Sequence, residues 1–457
     1  MKFRKETEFQ ETEIGKIPRE WKVVEFGVLF DFQRGLSYRK NDISTFQTPI
    51  RFITINDLEK EGGRKRDVEP IYLSEELEDS IINKKCTVEI GDILIAITDM
   101  SKGFIIGAPL YIDETLRNQG DTLVYSMDLV KLLPKRSLNT KFYFYLLSWE
   151  RVRKIMKSLA RGTNVLHLDL NLTKKLKVIE PPLEEQGRIA NILSTIDRTI
   201  ELYHRESERL ERLKRGLMSE LLTGRIRVRE ENGRLSFYRE TELQETEIGK
   251  IPRDWRTFSL KEAFELYKGT TPSTKDSKYW GGTIPFATPT DITAINDLNM
   301  IYLTKTEKYL TEEGIRSKNL RIVPRGSLLF TSRATIGYLA INKVDVTINQ
   351  GVIALIPKRK DVNILYYYYY LLGMRKKFEE LAGGSTYREI SMAMFSKTVI
   401  PQPPLQEQNR IANILSTIDR AIELYYRGRE RLERLKRGLM DLLLTGKVRV
   451  VDDDVGS

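Results

Sequence analysis

The chain has 457 residues, of which 40% are hydrophobic and 30% are charged, a composition that excludes a largely disordered protein. The chain has 75 lysines and arginines and 64 aspartates and glutamates, which gives a net charge of +11. This positive charge favours a polyanionic partner. One cysteine (Cys86) and two histidines (His167 and His204) exclude an internal disulfide, a thiolate zinc site and a three-histidine metal centre. We therefore expect no metal site, a solvated His204 and a structural His167.

Several catalytic motifs are missing from the sequence. No two glycines stand two positions apart, which removes the G-x-G core of dinucleotide loops and of many S-adenosylmethionine loops, and no G-x-x-x-x-G-K-[ST] motif occurs. No acidic arrangement predicts a nuclease. We expect a binding protein with no catalytic residue and no cofactor of its own. The longest apolar stretch, 364–374, is too short to span a membrane and the charged first residues do not resemble a signal peptide, so we expect a cytoplasmic location.

An internal repeat organises the chain. Residues 5–21 return at 239–255 with 14 identities in 17 positions, and residues 181–228 return at 403–450 with 38 identities in 48. The blocks between the repeats are much less alike. The predicted layout, in chain order, is an N-terminal repeat segment (1–21), a first block (22–180), a central long helix (181–223), a linker with the second copy of the N-terminal repeat (224–255), a second block (256–402), a C-terminal long helix (403–446) and a tail (447–457).

Each variable block alternates short β-rich runs with turn residues, which predicts a compact α+β domain. We call these domains the first head (22–180) and the second head (256–402). The predicted strands are 50–55, 92–97, 122–130, 328–331 and 351–356. Short helices are predicted near 142–158 and 362–381.

Each long repeat predicts one helix, because two prolines precede it, a Thr-Gly pair follows it and no proline interrupts it. Apolar residues recur at alternating spacings of three and four, with an interruption near Ser207 and Lys214. We expect the two apolar seams to pair with each other, in an antiparallel arrangement if a two-fold rotation relates the copies, although each seam could instead pack on its neighbouring head. The predicted pairing residues are Ile189, Leu193, Ile196, Ile200, Tyr203, Leu210, Leu217, Ile411, Leu415, Ile418, Ile422, Tyr425, Leu432 and Leu439.

Loops between the predicted strands carry basic, hydroxyl and aromatic residues at matching places in both heads. Arginine and lysine suit phosphate oxygens, and Arg, Asn, Ser and Thr also read base edges in the major groove. We therefore expect these loops to contact DNA, and we interpret Asn349-Gln350-Gly351 and its counterpart 118–120 as structural turns. The predicted contacts in the first head are Arg34, Ser37, Tyr38, Arg39, Lys40, Lys102, Arg161 and Asn164. Those in the second head are Lys268, Thr270, Thr271, Ser273, Lys275, Arg333, Thr386, Tyr387 and Arg388.

The chain resembles the specificity subunits of type I restriction–modification systems. The motifs that carry the resemblance are G-K-I-P-x-x-W at 15–21 and 249–255, and P-P-L-x-E-Q-x-x-I-A at 181–190 and 403–412. The second head adds G-x-T-P-S at 269–273 and Y-W-G-G-x-I-P-F at 279–286. The first head keeps Gly35 but lacks the Thr-Pro-Ser and Tyr-Trp-Gly-Gly motifs.

The resemblance implies two globular target-recognition domains separated by long antiparallel coiled-coil helices, with an internal pseudo-two-fold repeat. Each domain would read one part of a split site in double-stranded DNA, while the helices set the spacer and dock two methyltransferase subunits. Restriction and translocase subunits would join through the complex. S-adenosylmethionine, ATP and magnesium would belong to those partners, in agreement with the missing cofactor loops.

Other functions compete with this interpretation. A coiled-coil scaffold would bind proteins and show little affinity for DNA. An autonomous nuclease or methyltransferase would act without partners, and a membrane-surface protein would use the basic charge on lipid headgroups. Because the two heads differ in sequence, a DNA-binding function predicts two different half-sites.

Overall fold

A computed structural model describes residues 2–66, 68–100, 103–116, 121–297, 300–382 and 388–451. The chain forms two compact units, one made of Met1–Ile200 with Arg431–Ser457 and the other of Glu201–Glu430. Each unit contains one head together with parts of both long helices. No helix in the described part of the chain combines the length and apolar character needed to cross a bilayer.

The first head is built on an antiparallel four-stranded sheet in the order Pro109–Tyr111, Ile93–Ala96, Leu129–Pro134, Phe30–Arg34. Two three-stranded sheets accompany it, in the orders Thr122–Tyr125, Ile50–Ile53, Ile71–Tyr72 and Ala160–Arg161, Leu166–Leu168, Thr98–Asp99. A further pair joins Lys22–Glu25 to Lys177–Glu180. The helices are Phe26–Leu29, Glu78–Lys84, Thr140–Ser148, Glu150–Ser158 and Leu170–Lys174. The predicted strand at 122–130 is wrong as a single strand, because a turn at 126–128 sends its two halves into different sheets.

The second head repeats this plan. Its five-stranded sheet runs Phe264–Lys268, Val352–Pro357, Leu328–Thr331, Leu339–Asn342, Tyr302–Leu303, and a three-stranded sheet runs Lys308–Leu310, Trp280–Ala287, Thr347–Ile348. A further pair joins Arg256–Ser259 to Val399–Gln402. The helices are Leu260–Ala263, Pro289–Asp297, Glu312–Ser317, Ile364–Gly373, Arg375–Leu381 and Met392–Ser396. The α+β architecture predicted for both heads is confirmed.

The short repeats and their neighbours form hairpins. Phe9–Thr12 pairs with Gly15–Pro18, and Leu243–Thr246 pairs with Gly249–Pro252 in the same register. The region predicted as a linker also contains the hairpin Ile226–Glu231 with Arg234–Arg239. Lys2–Lys5 pairs with Val448–Val451 in the matching register, so the segment predicted as a tail begins with a strand that closes the first unit.

The long helices are Leu183–Leu221 and Leu405–Leu443, each of 39 residues. Each helix begins directly after the Pro-Pro pair that opens its predicted segment. Gly224 and Gly446 follow the helices with φ of +70° and +67°, a left-handed conformation that suits glycine at a helix end.

The two long helices run antiparallel in each unit. In the first unit Lys436 Nζ lies 2.6 Å from Asp197 Oδ1, and in the second Lys214 Nζ lies 2.5 Å from Asp419 Oδ1. The rings of Tyr203 and Tyr425 meet edge to face with centroids 5.3 Å apart. These contacts join early residues of one helix to late residues of the other, which confirms the predicted antiparallel pairing.

The seams also pack on the heads. The core of the first unit includes the seam residues Ile189 and Leu193, and the core of the second includes Ile411 and Leu415. Each seam therefore packs on a head at the start of its helix, while Tyr203 and Tyr425 in the middle of the seams contact each other. Ile200 and Ile422 are buried in the seam, and the remaining predicted pairing residues are half-buried: Ile196, Tyr203, Leu210, Leu217, Ile418, Tyr425, Leu432 and Leu439.

A tyrosine–aspartate–lysine cluster joins each head to both helices. The Tyr145 hydroxyl donates to Asp197 Oδ2 at 2.7 Å, while Lys436 pairs with Asp197 and lies 5.3 Å from the centre of the Tyr145 ring. Burial, followed by the charge of Asp197, raises the pKa of Tyr145, so this hydroxyl stays a donor. Lys436 is the counterpart of Lys214, one of the two residues near which the apolar seam of the first copy is interrupted.

Tyr369, Asp419 and Lys214 repeat this arrangement in the second unit. The Tyr369 hydroxyl donates to Asp419 Oδ2 at 2.6 Å, and Lys214 lies 5.4 Å from the ring centre. Burial again raises the pKa of the tyrosine. The two clusters use equivalent positions of the two long repeats.

In the first unit a buried arginine, Arg449, binds carboxylates from both kinds of repeat. We call this arginine and its partners an arginine junction. Arg449 donates two hydrogen bonds to the Glu185 carboxylate, at 2.7 and 2.8 Å, and one each to Glu6 and Glu20 at 2.7 and 2.8 Å. Trp21 donates its indole N–H to the same Glu185 carboxylate at 2.9 Å. Burial by itself lowers the pKa of Arg449, but its carboxylate partners outweigh it and raise the pKa overall.

The second unit contains the equivalent arginine junction. Arg227 donates to Glu407 at 2.6 and 2.7 Å, to Glu240 at 2.6 Å and to Asp254 at 2.8 and 2.9 Å. Trp255 donates to Glu407 at 3.1 Å. Each junction takes its tryptophan from a short repeat, its glutamate from the start of one long repeat and its arginine from the end of the other.

We predict that Arg227→Ala lowers the free energy of unfolding by about 3–5 kcal/mol, because it leaves buried carboxylates without their partner. Arg229→Ala is the matched control: this arginine lies two residues further along the same strand, with its ion pair to Glu231 exposed, and its loss should cost less than about 1 kcal/mol. Urea unfolding of the full chain measures both values. Equal losses in the two variants would contradict a special role for the junction.

Candidate nucleic-acid interface

Four segments of the second head meet at the end of strand Phe264–Lys268. Gly269 directly follows this strand and lies against the backbone of Ile348. A Cβ atom at Gly269 would overlap with the carbonyl oxygen of Ile348, so only glycine fits. The next turn brings the Thr271 hydroxyl to Gln350, to which it donates a hydrogen bond. Gln350 is therefore an exposed side chain held on a turn that the sequence suggested was only structural.

The Glu389 carboxylate contacts two basic residues of this surface. Lys268 donates to Glu389 Oε1, and Arg333 Nε lies 3.7 Å from Glu389 Oε2. An isolated β-bridge pairs Arg333 with Glu389, and the backbone N–H of Ala334 donates to the Arg388 carbonyl at 3.3 Å. The structure therefore brings together Lys268, Arg333 and Arg388, which stand far apart in the sequence.

The other predicted contacts in the second head lie on or beside the loop that follows Gly269. Thr270 is half-buried, whereas Ser273 and Lys275 are exposed. The Ser273 carbonyl accepts a hydrogen bond of 3.0 Å from the Trp280 indole, which ties this loop to the Tyr-Trp-Gly-Gly segment. Thr386 and Tyr387 lie outside the described residues.

The first head has the same glycine turn. A Cβ atom at Gly35 would overlap with the carbonyl oxygens of Tyr125 and Ser126. Of the residues around this turn, Arg34, Ser37, Arg39 and Lys40 are exposed. Tyr38 is half-buried because its ring packs edge to face on Phe52, with centroids 4.7 Å apart. Tyr38 therefore supports the turn as well as bordering its surface.

A second loop of the first head is the hairpin Ala160–Arg161 with Leu166–Leu168. Arg161 and Asn164 are exposed, and Arg161 lies 3.2 Å from Asp169. Lys102 lies outside the described residues. His167 is exposed rather than part of the core, because it points away from the face on which its neighbour Leu168 is buried. Its Nδ1 atom lies 3.5 Å from the Thr98 hydroxyl.

His204 also differs from expectation. This histidine was predicted to be solvated, yet it is half-buried in the first long helix, with Nε2 3.3 Å from Glu208. The prediction of a solvated His204 is therefore wrong.

The two heads present equivalent loops on one backbone plan. Lys268 ends the strand that corresponds to Phe30–Arg34, and Glu389 lies 222 positions after His167, the offset that relates the long repeats. The residues that follow His167 and Glu389 make equivalent backbone hydrogen bonds. The Leu168 N–H donates to Ile97 O at 2.8 Å, and the Ile390 N–H donates to Ser332 O at 3.0 Å. Exposed cations, hydroxyls and amides on such loops can contact phosphates and base edges.

The long helices carry exposed leucines at the same positions of both copies. Leu202 and Leu213 are each 50% exposed, and their counterparts Leu424 and Leu435 are 70% and 51% exposed. The two leucines of each helix are eleven positions apart, which places them on one side of the helix about three turns apart. We call these four exposed side chains the leucine face.

Comparisons with known proteins agree with the fold and the repeat. A family model for the type I restriction modification DNA specificity domain matches residues 18–212 and 252–434. The MjaVIII specificity subunit of a Methanocaldococcus jannaschii type I restriction enzyme is 26% identical over 467 residues, covering 98% of each chain. The MjaIX specificity subunit of the same organism is 41% identical over 202 residues, which cover 44% of this chain and 46% of that protein.

Solved structures share the fold. The crystal structure of the S subunit of a type I restriction–modification system from M. genitalium has a TM-score of 0.58 at 15% identity, covering 93% of this chain and 96% of that one. A chain from a study of complex assembly and conformational transition in the type I system has a TM-score of 0.53 at 18% identity, covering 94% and 99%. With the family model matching most of the sequence in two copies, this chain belongs to the type I restriction–modification DNA specificity family.

Proposed function

We propose that this chain is the sequence-specific DNA-binding subunit of a type I restriction–modification complex, and that each head reads one half of an asymmetric bipartite site in duplex DNA. The observation that carries the proposal is the equivalent loop surface of the two heads. In the second head it gathers Lys268, Thr271, Arg333, Gln350 and Arg388 from separate loops. Family membership supports the same function.

Two unlike half-sites follow from unlike heads. A protein with identical heads related by a two-fold axis favours a palindromic site. Here equivalent positions carry Arg34 and Lys268, and His167 and Glu389, which offer different hydrogen-bonding groups. The two halves of the recognised sequence should therefore differ.

The long helices would set the spacer between the half-sites. A helix of 39 residues has a length of about 59 Å, which exceeds one turn of B-form DNA at about 34–36 Å. Antiparallel pairing within each unit ties both helices to each head. A paired helical strut of this kind resists bending, which a fixed spacer requires.

The leucine face would dock two methyltransferase subunits, one for each copy of the repeat. Exposed apolar side chains at equivalent places of a duplicated helix suit two copies of one partner. Restriction and translocase subunits would join through the complex. Catalysis would reside in these partners, which would also hold S-adenosylmethionine, ATP and magnesium, and the complex would act in the cytoplasm.

A coiled-coil scaffold that binds only proteins is the second candidate, and the leucine face is the observation that favours it. Such a protein would have little affinity for duplex DNA even when its partners are bound. Mapping methylated motifs in cells with and without the gene decides between the two functions. Loss of a bipartite motif together with the gene supports DNA recognition, and an unchanged methylation pattern supports the scaffold.

We predict that Arg333→Ala weakens binding of the assembled complex by about 1–3 kcal/mol and relaxes one base position of one half-site. Lys275→Ala should weaken binding to all sequences alike and reduce the salt dependence, as expected for a phosphate contact. Arg316→Ala is the control, because its exposed ion pair with Glu312 lies on a helix outside this loop surface. Binding titrations at two salt concentrations measure these effects. The assignment of Arg333 is wrong if affinity and base preference both stay unchanged.

Lengthening both helices should change the spacer and leave the half-sites as they are. We predict that inserting seven residues after Ser207 and seven after Tyr425 lengthens the pair by about 10.5 Å, or about three base pairs of DNA. Whole heptads keep the apolar seam on the same side. Methylome sequencing reads the spacer directly. Replacing seven residues without a change in length is the control, and altered half-site bases with an unchanged spacer would contradict the prediction.

Charged substitutions on the leucine face should impair assembly without unfolding the chain. We predict that Leu202→Glu combined with Leu424→Glu lowers co-purification of the methyltransferase subunits, because it places charge in an apolar contact. The free energy of unfolding should change by less than about 0.5 kcal/mol, since both side chains are exposed. Arg215→Glu, on another side of the first helix, is the control. Normal co-purification of the double variant would exclude this face as the docking site.

A further inference from the structure

We propose that His167 and Glu389 are base-reading residues of the two heads, and that this one shared position contributes to the difference between the half-sites. The inference rests on the proposed function, because it assigns a specific role within the DNA-contacting surface. The pattern of basic loops indicates neither residue, since Glu389 carries the opposite charge and the sequence favours a structural role for His167.

The two residues occupy one position of the shared fold. Each directly precedes a residue whose backbone N–H bonds to the loop that follows a central strand, Leu168 to Ile97 and Ile390 to Ser332, at 2.8 and 3.0 Å. Across this pairing, His167 lies opposite Thr98, and Glu389 lies opposite Arg333. The backbone is therefore alike and only the side chains differ.

Glu389 keeps capacity to accept a further hydrogen bond. Its side chain is 32% exposed. Lys268 bonds one carboxylate oxygen, while Arg333 lies 3.7 Å from the other, which is too long for a strong hydrogen bond. A carboxylate offers about four acceptor sites, so the second oxygen can accept from an exocyclic amino group.

The surrounding charges let a carboxylate approach DNA. An isolated glutamate would be repelled by the phosphates, but Lys268 and Arg333 contact this one and Arg388 adjoins it in the chain. The cluster as a whole stays cationic. Lys268 also limits the freedom of the side chain, which lowers the entropy lost when it binds a base.

The chemistry of the two side chains selects different bases. Glutamate accepts from cytosine N4 or adenine N6 in the major groove, whereas guanine and thymine present only acceptors or a methyl group at the corresponding positions. A neutral imidazole both donates and accepts, and its N–H can reach N7 or O6 of guanine. Exposed His167, with one ring nitrogen near the Thr98 hydroxyl, therefore suits a purine where Glu389 suits an amino group.

The test uses the full chain assembled with its methyltransferase subunits and a library of duplex DNA with randomised positions. Bound sequences are selected and sequenced for wild type, Glu389→Ala, Glu389→Gln, His167→Ala and His167→Glu. We expect Glu389→Ala to reduce discrimination by about tenfold at one base of one half-site, and His167→Ala to do so in the other half-site. His167→Glu should move the preference at that base toward cytosine or adenine.

Glu265→Gln is the matched control. Glu265 lies on the same strand as Lys268 and makes a comparable exposed ion pair with Arg321, away from Glu389. Thermal unfolding and co-purification of every variant establish that the complex is intact, and Glu389→Gln keeps the shape of the side chain if the alanine variant does not assemble.

The outcomes separate the inference from the function on which it rests. A bipartite wild-type motif with relaxed or altered single positions in the variants supports the inference. The same wild-type motif with unchanged variant motifs, or with a uniform loss of affinity, overturns it and leaves Glu389 as a structural partner of Lys268 and Arg333. A wild-type complex that selects no motif overturns the proposed function and the inference together.

Discussion

The buried arginine junctions are the constraint on which each unit depends. Arg449 and Arg227 each bind a tryptophan-bonded glutamate, a second buried carboxylate and a third carboxylate that is largely exposed. A charge buried to this degree is stable only when all its partners are present, because the cost of desolvation falls on any group left unpaired. The junctions therefore require that a short repeat, the start of one long helix and the strand after the other meet in one place. The residues that form the junctions all lie in the repeated segments and none lies in the blocks between them.

The two heads differ in sequence, whereas the repeated segments that hold them are nearly the same. Gly35 and Gly269 each lie against backbone carbonyls where a Cβ atom would not fit, and the residues around them differ in the two heads. The tyrosine–aspartate–lysine clusters attach both heads to the helices through equivalent residues. The side chains that attach the heads to the helices are therefore different from those proposed to contact DNA. Under the proposed function, substitutions in the loops of a head would leave its attachment to the helices unchanged.

The sequence indicates those residues of the candidate interface that stand close together in the chain. The exposed cations Arg34, Arg39 and Lys40 stand together in one turn, and the turn glycines mark its position. It missed Glu389 because the partner of this residue, Lys268, lies 121 positions away. It interpreted Gln350 as part of a structural turn, and the hydrogen bond from Thr271 that orients this side chain comes from another loop. A sequence pattern of basic residues does not indicate a carboxylate that contacts them only in the folded chain.

The sequence by itself determined the duplicated frame, the two long helices and the α+β character of the heads. Each of these follows from a periodic or repeated pattern that local geometry must satisfy, such as the apolar spacing of a helix or the proline and glycine at its ends. Only the tertiary structure decided which residues share a surface. It divided each apolar seam between a head and the opposite helix, exposed His167 and set Glu389 between Lys268 and Arg333. The physical reason is that side chains brought together by strand pairing and loop closure are distant along the chain, and no local spacing records their approach.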